Sequence, residues 1–219
     1  MTVVAIDGPV GSGKSTVARL AAERLGFLYL DTGAMYRGIG LLATEAAVSL
    51  DDEAAVGEIA SRVVLAFDRD GKLRADGRDV SAAIRTLAMG AAASRVSALP
   101  RVRELLVERQ RALAAGADVV MEGRDIGTSV FPDATVKVYL TARPEVRAAR
   151  RADELRAKGE VADEHEVLDA LLERDRRDMQ RQVAPLRQAP DAVAVDTSEM
   201  TIAEVVAAIV RIVEAVDAA

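Results

Sequence analysis

Between an apolar run, Val3-Val4-Ala5-Ile6-Asp7, and a stretch of helical periodicity lies Gly8-Pro9-Val10-Gly11-Ser12-Gly13-Lys14-Ser15. The string fits G-x-x-x-x-G-K-[S/T], the pattern of a loop that cradles polyphosphate between a strand and a helix. Its glycines let the backbone turn so that N–H groups point inward at phosphate oxygens. The helix that follows adds the positive end of its dipole. The Lys14 ammonium can bridge β- and γ-phosphates, and the Ser15 hydroxyl can ligate Mg²⁺. Gly8, Pro9, Val10, Gly11, Ser12, Gly13, Lys14, Ser15 and Thr16 are therefore expected to hold ATP, with Mg²⁺ as the cofactor and Ser15 as its protein ligand.

A second set of residues offers acceptor chemistry. Asp31-Thr32-Gly33-Ala34-Met35-Tyr36-Arg37 and Glu122-Gly123-Arg124-Asp125-Ile126-Gly127 each follow a strand-like run. In open α/β sheets ligands lie beyond the carboxyl ends of the strands, so both segments are expected near the phosphate loop. On a helix, Arg174, Asp178 and Arg181 would share one face at i, i+4 and i+7, presenting two guanidinium groups and a carboxylate. Arg147, Arg150 and Arg151 would similarly share a face. A guanine-reading Asn-Lys-x-Asp is impossible because the chain has no asparagine. A small enzyme that passes phosphate to a small acceptor fits the length better than a motor ATPase, with a hydrolysis-driven switch as the alternative.

These residues need a scaffold, and the hydropathy pattern supplies one. Buried-strand candidates are 3–7, 27–30, 118–121, 135–140 and 192–195, each followed by a loop and a helical pattern. The first helix runs through Val17, Leu20, Ala21 and Leu25 to a stop at Gly26, and another spans about 33–47. That alternation predicts an α/β domain with a parallel sheet. Two stretches depart from it. Val63–Phe67, a turn at Asp68-Arg69-Asp70-Gly71, Lys72–Ala75 and a turn at Asp76-Gly77 predict a small antiparallel sheet. Residues 143–187 hold 11 basic and 11 acidic residues and predict a solvated helical pair. Ile202, Val205, Val206, Ile209, Ile212, Val213 and Val216 form the apolar stripe of a core-packing helix.

Composition narrows the function further. The 219 residues carry 29 Lys+Arg against 35 Asp+Glu, a formal charge of −6, which argues against coating nucleic acid. The absence of cysteine rules out disulfides and thiol catalysis, and no apolar stretch is long enough to cross a membrane. The N-terminal residues lack the basic region of a signal peptide, so a cytoplasmic protein is expected. Of the basic residues 25 are arginine and only four lysine, a bias that codon usage or thermal adaptation would each produce.

With these segments in view the chain closely resembles the bacterial cytidylate kinases of the nucleoside monophosphate kinase group. The resemblance rests on the phosphate loop, Asp31–Arg37, Ser94–Arg103, Glu122–Gly127 with Phe131-Pro132-Asp133-Ala134, and Arg174–Pro185. It implies a phosphate-loop three-layer α/β fold with a five-stranded parallel sheet over a single domain, 1–219. The implied core is 1–48, 86–142 and 188–219, with a monophosphate-binding insert at about 49–85 and a helical lid at about 143–187. It implies transfer of the γ-phosphoryl group of ATP to CMP, and to dCMP; a monomer with no nucleic-acid or membrane partner is expected. By position, Thr32, Arg37, Arg124 and Arg181 would bind the acceptor, the arginines on its phosphate; Arg174 and Asp178 would contact the ribose; Ser94, Arg103 and Asp125 would read the base. Lys14, Arg124 and the lid arginines Arg147, Arg150 or Arg151 would stabilise the transition state.

Plainer readings stand beside these. Asp125 could form a structural ion pair with Arg124, Arg174 and Asp178 an exposed i, i+4 pair, and Ser94 a place on a helix surface. His165, the one histidine, reads as a solvated helix residue. Glu122 stands where relatives can carry Asp, and Ser15 where some carry Gly. A kinase for UMP, AMP, shikimate or gluconate, an acceptor-independent ATPase, and a regulatory nucleotide-binding module are the competing functions.

Overall fold

Short β-branched runs become strands, and stretches of 3.6-residue periodicity become the helices between them. The computed structural model describes residues 1–68, 71–157 and 159–217. The elements run β1 (Val3–Asp7), α1 (Lys14–Leu25), β2 (Leu28–Asp31), α2 (Thr32–Glu45), α3 (Glu53–Arg62), β3 (Leu65–Phe67), β4 (Leu73–Ala75) and β5 (Arg78–Asp79). There follow α4 (Leu87–Val96), α5 (Pro100–Ala114), β6 (Val119–Glu122), β7 (Val136–Thr141), α6 (Pro144–Ala157), α7 (Glu164–Gln180), β8 (Val193–Asp196) and α8 (Ile202–Asp217). The chain divides into two compact units, Met1–Tyr29 with Gly116–Ala219, and Leu30–Ala115.

The first unit is built on the expected five-stranded parallel sheet, in the order β2-β6-β1-β7-β8. Central β1 pairs with β6 from Val3↔Val119 and with β7 from Val4↔Val136. All of β1 is buried, as a strand covered on both faces must be. Val17, Ala18 and Ala21 of α1 join Val205, Val206, Ile209, Val210 and Val213 of α8 in a core with Val4, Ile6, Val138 and Leu140. Each fully buried aliphatic side chain there contributes about 1.5–3 kcal/mol. The C-terminal stripe is shorter than its pattern suggested. Ile202 and Val216 are exposed because they occupy the first and last turns of α8.

Four of the five expected strands lie one residue further along: 28–31, 119–122, 136–141 and 193–196. Hydropathy ends a strand at its last apolar residue, whereas the hydrogen-bonded ladder continues through the next. Asp31, Glu122, Thr141 and Asp196 are therefore the last residues of strands, like Asp7 of β1. The carboxyl edge of the sheet is polar by construction.

The charged stretch 143–187 forms the helical pair α6 and α7, and its outer faces are solvated as expected. Its inner faces are not. Arg147, Asp175 and Asp178 are buried among Ala148, Ala152, Leu155 and Leu171, because the two helices pack against each other and place these charges where they meet partners.

The second unit holds four helices, α2 to α5, and the small antiparallel sheet β3-β4-β5. Leu65↔Ala75 and Phe67↔Leu73 set the register of the expected hairpin; Arg69 and Asp70 of its first turn lie outside the described residues. Helix α2 approaches α4 so closely that a Cβ at Gly40 would come within 2.8 Å of the Ala92 Cβ. Met35, Ile39, Val56, Leu73, Ile84, Val96 and Leu106 form this unit's own core. The expected insert, about 49–85, falls inside this unit.

Candidate active site

The phosphate loop joins β1 to α1 and cannot take other residues at its turning points. Gly8 has φ +149°, and a Cβ there would sit 2.0 Å from the Leu140 carbonyl oxygen; Gly11 and Gly13 are left-handed at φ +76° and +86°. Asp31, Asp52, Thr86 and Asp163 cap α2, α3, α4 and α7 with side-chain oxygens, whereas α1 begins at Gly13 with no side-chain cap. Its first N–H groups are therefore left without a side-chain acceptor, as the binding of an anion there would require. Ser15 and Thr16 are exposed in the first turn.

Lys14 is buried at the centre of this loop. Its Nζ donates to the Pro9 carbonyl at 2.5 Å and to Ser12 Oγ at 3.2 Å, and Ser12 Oγ donates to Pro9 O at 3.0 Å. Burial, then the Arg124 guanidinium, hold the Lys14 ammonium well below the usual lysine range, while Glu122 and Asp7 act in the opposite direction. An ammonium held against burial and a neighbouring cation gains from an incoming anion.

Two of the three arginines expected in the lid brace the loop. Arg147 is buried; it donates through Nε to Ala142 O at 3.0 Å, and through Nη1 to Val10 O at 3.0 Å and to Asp175 at 2.5 Å. The other Asp175 oxygen accepts from the Val10 N–H at 3.4 Å, so the pair holds both backbone groups of Val10. Arg150 donates to Thr197 Oγ1 at 2.9 Å and to its carbonyl at 2.6 Å, and Thr197 Oγ1 in turn lies 3.4 Å from Ser12 O. Arg151 meets Glu154 at 2.7 Å on the outside of α6. The three arginines lie at i, i+3 and i+4 of one helix, as expected, but their guanidinium groups diverge to three sets of partners, and only Arg147 is buried and so needed local acceptors.

Beyond β6, the residues of the first unit that were expected on the acceptor side form cross-linked pairs. Arg124 Nε donates to Asp178 at 3.1 Å, and Arg181 donates to Asp125 at 3.1 Å and to Ala184 O at 2.6 Å. These partners lie further along the chain than the plain pairings read from the sequence: Asp125 meets Arg181, and Asp178 meets Arg124. Arg181 does not extend the helical face, since α7 ends at Gln180 and Arg181 is extended. Arg174 lies near enough to Lys14 to depress its ammonium further. Glu122 is buried and accepts the Tyr29 hydroxyl.

Asp7 accepts from the backbone N–H groups of Ile126 and Gly127, each at 2.8 Å. Burial pushes its carboxyl up to about 6, with Asp125 adding to the rise and the two N–H groups and Lys14 opposing it.

In the second unit Asp31 caps α2 through Ala34 N at 2.9 Å and pairs with Arg37 at 2.7 Å and Arg85 at 3.4 Å. Thr32 is buried in the first turn of α2. Ser94 is buried, not on a helix surface; its carbonyl accepts from Ser97 Oγ at 3.2 Å, and Arg103 donates to Ser97 O at 3.3 Å while lying over the Tyr36 ring at 5.8 Å. His165 is exposed at the start of α7.

Sequence reasoning assigned no role to Asp7, Asp175, Thr197 or Tyr36. Asp7 had a signal, an acid ending an apolar strand just before the loop. Asp175 and Thr197 had none, because their partners are 28 and 47 positions away.

Among the described residues no group of three or more His, Cys, Asp or Glu forms a metal cage, and no helix is long and apolar enough to cross a membrane. Comparison with known proteins gives the family and the fold. The family described as cytidylate kinase matches residues 4–215. A cytidylate kinase from Pelotomaculum thermopropionicum is 51% identical over 97% of this chain and 96% of its own length. Another from Citrifermentans bemidjiense is 47% identical over 93% and 88%. A gluconokinase structure from Sinorhizobium meliloti shares the fold, with a TM-score of 0.52 at 16% identity over 99% of this chain and 94% of that one.

Proposed function

The chain belongs to the cytidylate kinase family, and from that premise we propose that it transfers the γ-phosphoryl group of ATP to CMP, and to dCMP, giving ADP and the corresponding diphosphate. The observation that carries the reading is the paired set Asp125–Arg181 and Arg124–Asp178, in the same compact unit as Lys14.

Asp125 reads the base, with Ser94 and Arg103. Cytosine presents an N4 amine, which a carboxylate accepts from; uracil presents an oxygen there, which a carboxylate repels. UMP is accordingly a weaker acceptor. Arg37, Arg124 and Arg181, with Thr32, hold the acceptor phosphate, and Arg174 and Asp178 the ribose. In Arg37, Arg124 and Arg181 a carboxylate partner orients the guanidinium before substrate arrives, which favours bidentate phosphate contact.

The acceptor phosphate is an anion near neutral pH and needs no general base, so a single exposed histidine is no obstacle. Catalysis reduces to alignment and to stabilising charge on the transferred group. The N–H groups of the phosphate loop and Lys14 hold the β- and γ-phosphates. We assign Arg147 and Arg150 to positioning the loop and Arg151 to the transition state, because the Arg151 partner is an exposed glutamate that a phosphate can displace. The insert, about 49–85, and the lid, about 143–187, exclude water during transfer, since an accessible site would lose the γ-phosphate to hydrolysis.

Mg²⁺ fits these residues: Ser15 presents a hydroxyl in the first turn of α1, and the lack of an acidic cage among the described residues suits an ion held chiefly by substrate phosphates. When bound, it would supply positive charge to the donor phosphates. The composition, acidic and free of cysteine, supports a cytoplasmic enzyme, and we take it to be a monomer.

The test is ADP release from Mg·ATP with CMP, dCMP, UMP, AMP, shikimate or no acceptor. Strong turnover with CMP and little without acceptor is expected. Acceptor-independent hydrolysis, or preference for an acceptor lacking cytosine, overturns the proposal.

A further inference from the structure

Asp7 is buried at the carboxyl end of β1, one residue before the phosphate loop, and has no ion-pair partner among the described residues. Both of its oxygens are used separately: Oδ1 accepts from the Ile126 N–H and Oδ2 from the Gly127 N–H, each at 2.8 Å. Those two amides directly follow Arg124 and Asp125 and open the wide helical turn Ile126–Val130. Asp125 begins that turn, its carbonyl accepting from Ser129 N at 2.9 Å and Val130 N at 3.2 Å. Ile126 and Gly127 are themselves buried, so without Asp7 two N–H groups would lose their acceptors away from water.

A buried carboxylate with no cation in salt-bridge contact is costly, and an apolar residue would fill the end of a strand at lower free energy. What only a carboxylate does here is accept two N–H bonds at once. Asparagine, of the same size, has one acceptor oxygen and would turn its NH₂ against the second amide. The outcome is a fixed direction for the backbone that carries Asp125.

We propose that Asp7 is a positioning residue that sets the choice of CMP over UMP, by fixing through the Ile126 and Gly127 amides where the Asp125 carboxylate stands. The inference rests on the reading that the chain phosphorylates CMP and that Asp125 meets the N4 amine. Misplacing that carboxylate weakens the attraction to cytosine and the repulsion of uracil together, so selectivity shrinks rather than total activity alone.

The experiment compares wild type with Asp7→Asn and Asp7→Ala, measuring kcat and KM for CMP and for UMP at saturating Mg·ATP, and KM for ATP at saturating CMP. In Asp7→Asn, kcat/KM for CMP is expected to fall roughly 10–100-fold, the scale of an ångström-level misplacement, while UMP changes far less. Equal falls for CMP and UMP make Asp7 merely structural and overturn its role. Wild type that leaves CMP untouched overturns the reading of the reaction instead. Amide exchange gives a second readout, independent of turnover and usable even where Asp7→Ala is poorly folded: in Asp7→Asn the Ile126 or Gly127 amide should exchange faster than its neighbours in β6. Unchanged protection at both amides overturns the proposal.

Discussion

The pair Arg147–Asp175 allows a prediction with a worked magnitude. Its side chains are only 5% and 8% exposed and meet at 2.5 Å. Replacing Asp175 by alanine removes one of the three acceptors of Arg147, leaving Ala142 O and Val10 O for a buried guanidinium with no counter-charge. Breaking a buried pair from one side costs about 3–5 kcal/mol. For a protein of this length about 1 kcal/mol lowers Tm by roughly 2–4 °C, so Asp175→Ala should melt about 10 °C lower. The double variant Arg147→Met with Asp175→Leu removes both charges and keeps the volume, and should recover most of that loss. It should not recover ATP binding, because Val10 has then lost the groups that held its carbonyl and its N–H. The assay is a urea or thermal melt of the two singles and the double, with KM for ATP and for CMP measured on each. A loss below about 1 kcal/mol in Asp175→Ala, the value of an exposed pair, would refute the reasoning. So would a double variant whose destabilisation is the sum of the singles.

Other outcomes follow from the same geometry. Lys14→Ala should lower kcat with ATP by about 10²–10³-fold, as loss of a preorganised charge in a dry site does, and near-normal turnover removes Lys14 from the mechanism. Asp125→Ala should raise KM for CMP much more than KM for ATP; parallel changes would mean that the Asp125–Arg181 pair serves the fold. Arg151→Ala should reduce kcat with little change in melting, whereas Arg150→Ala should also weaken ATP binding through Thr197 and Ser12; the reverse pattern overturns the division of roles. The Asp7 carboxyl, raised from 3.8 to about 6, binds its proton more readily in the folded chain than in the unfolded one. Its contribution to stability is therefore fully present below about pH 4 and is lost as pH rises through about 6, roughly 3 kcal/mol in all. Urea melts across that range should show a flatter dependence in Asp7→Asn than in wild type, and identical slopes would refute the assignment.

Much of this site is written in short stretches of chain. The left-handed turns at Gly11 and Gly13, the Lys14 contacts to Pro9 and Ser12 and the uncapped start of α1 are all local, so their spacing alone announces the chemistry; the crowding of Gly8 against Leu140 is tertiary. The central strands β1 and β6 are legible for the same reason, since residues buried on both faces leave an unbroken apolar run. Even the one-residue displacement of four strands has a local cause, the polar residue that ends each strand at the carboxyl edge.

Charge pairing is of another kind. Residues 143–187 offer 11 cations and 11 anions, and spacing along a helix favours neighbours three or four apart. The pairs that matter, Arg147–Asp175, Arg124–Asp178 and Arg181–Asp125, span 28, 54 and 56 positions. Asp7 and the Ile126 and Gly127 amides are 119 and 120 apart. Sequence by itself determined that this chain binds polyphosphate on a parallel α/β sheet and which residue types stand ready for an acceptor. Only the tertiary structure decided which arginine meets which carboxylate, because a buried charge is governed by the partner that reaches it through space, whatever its distance along the chain.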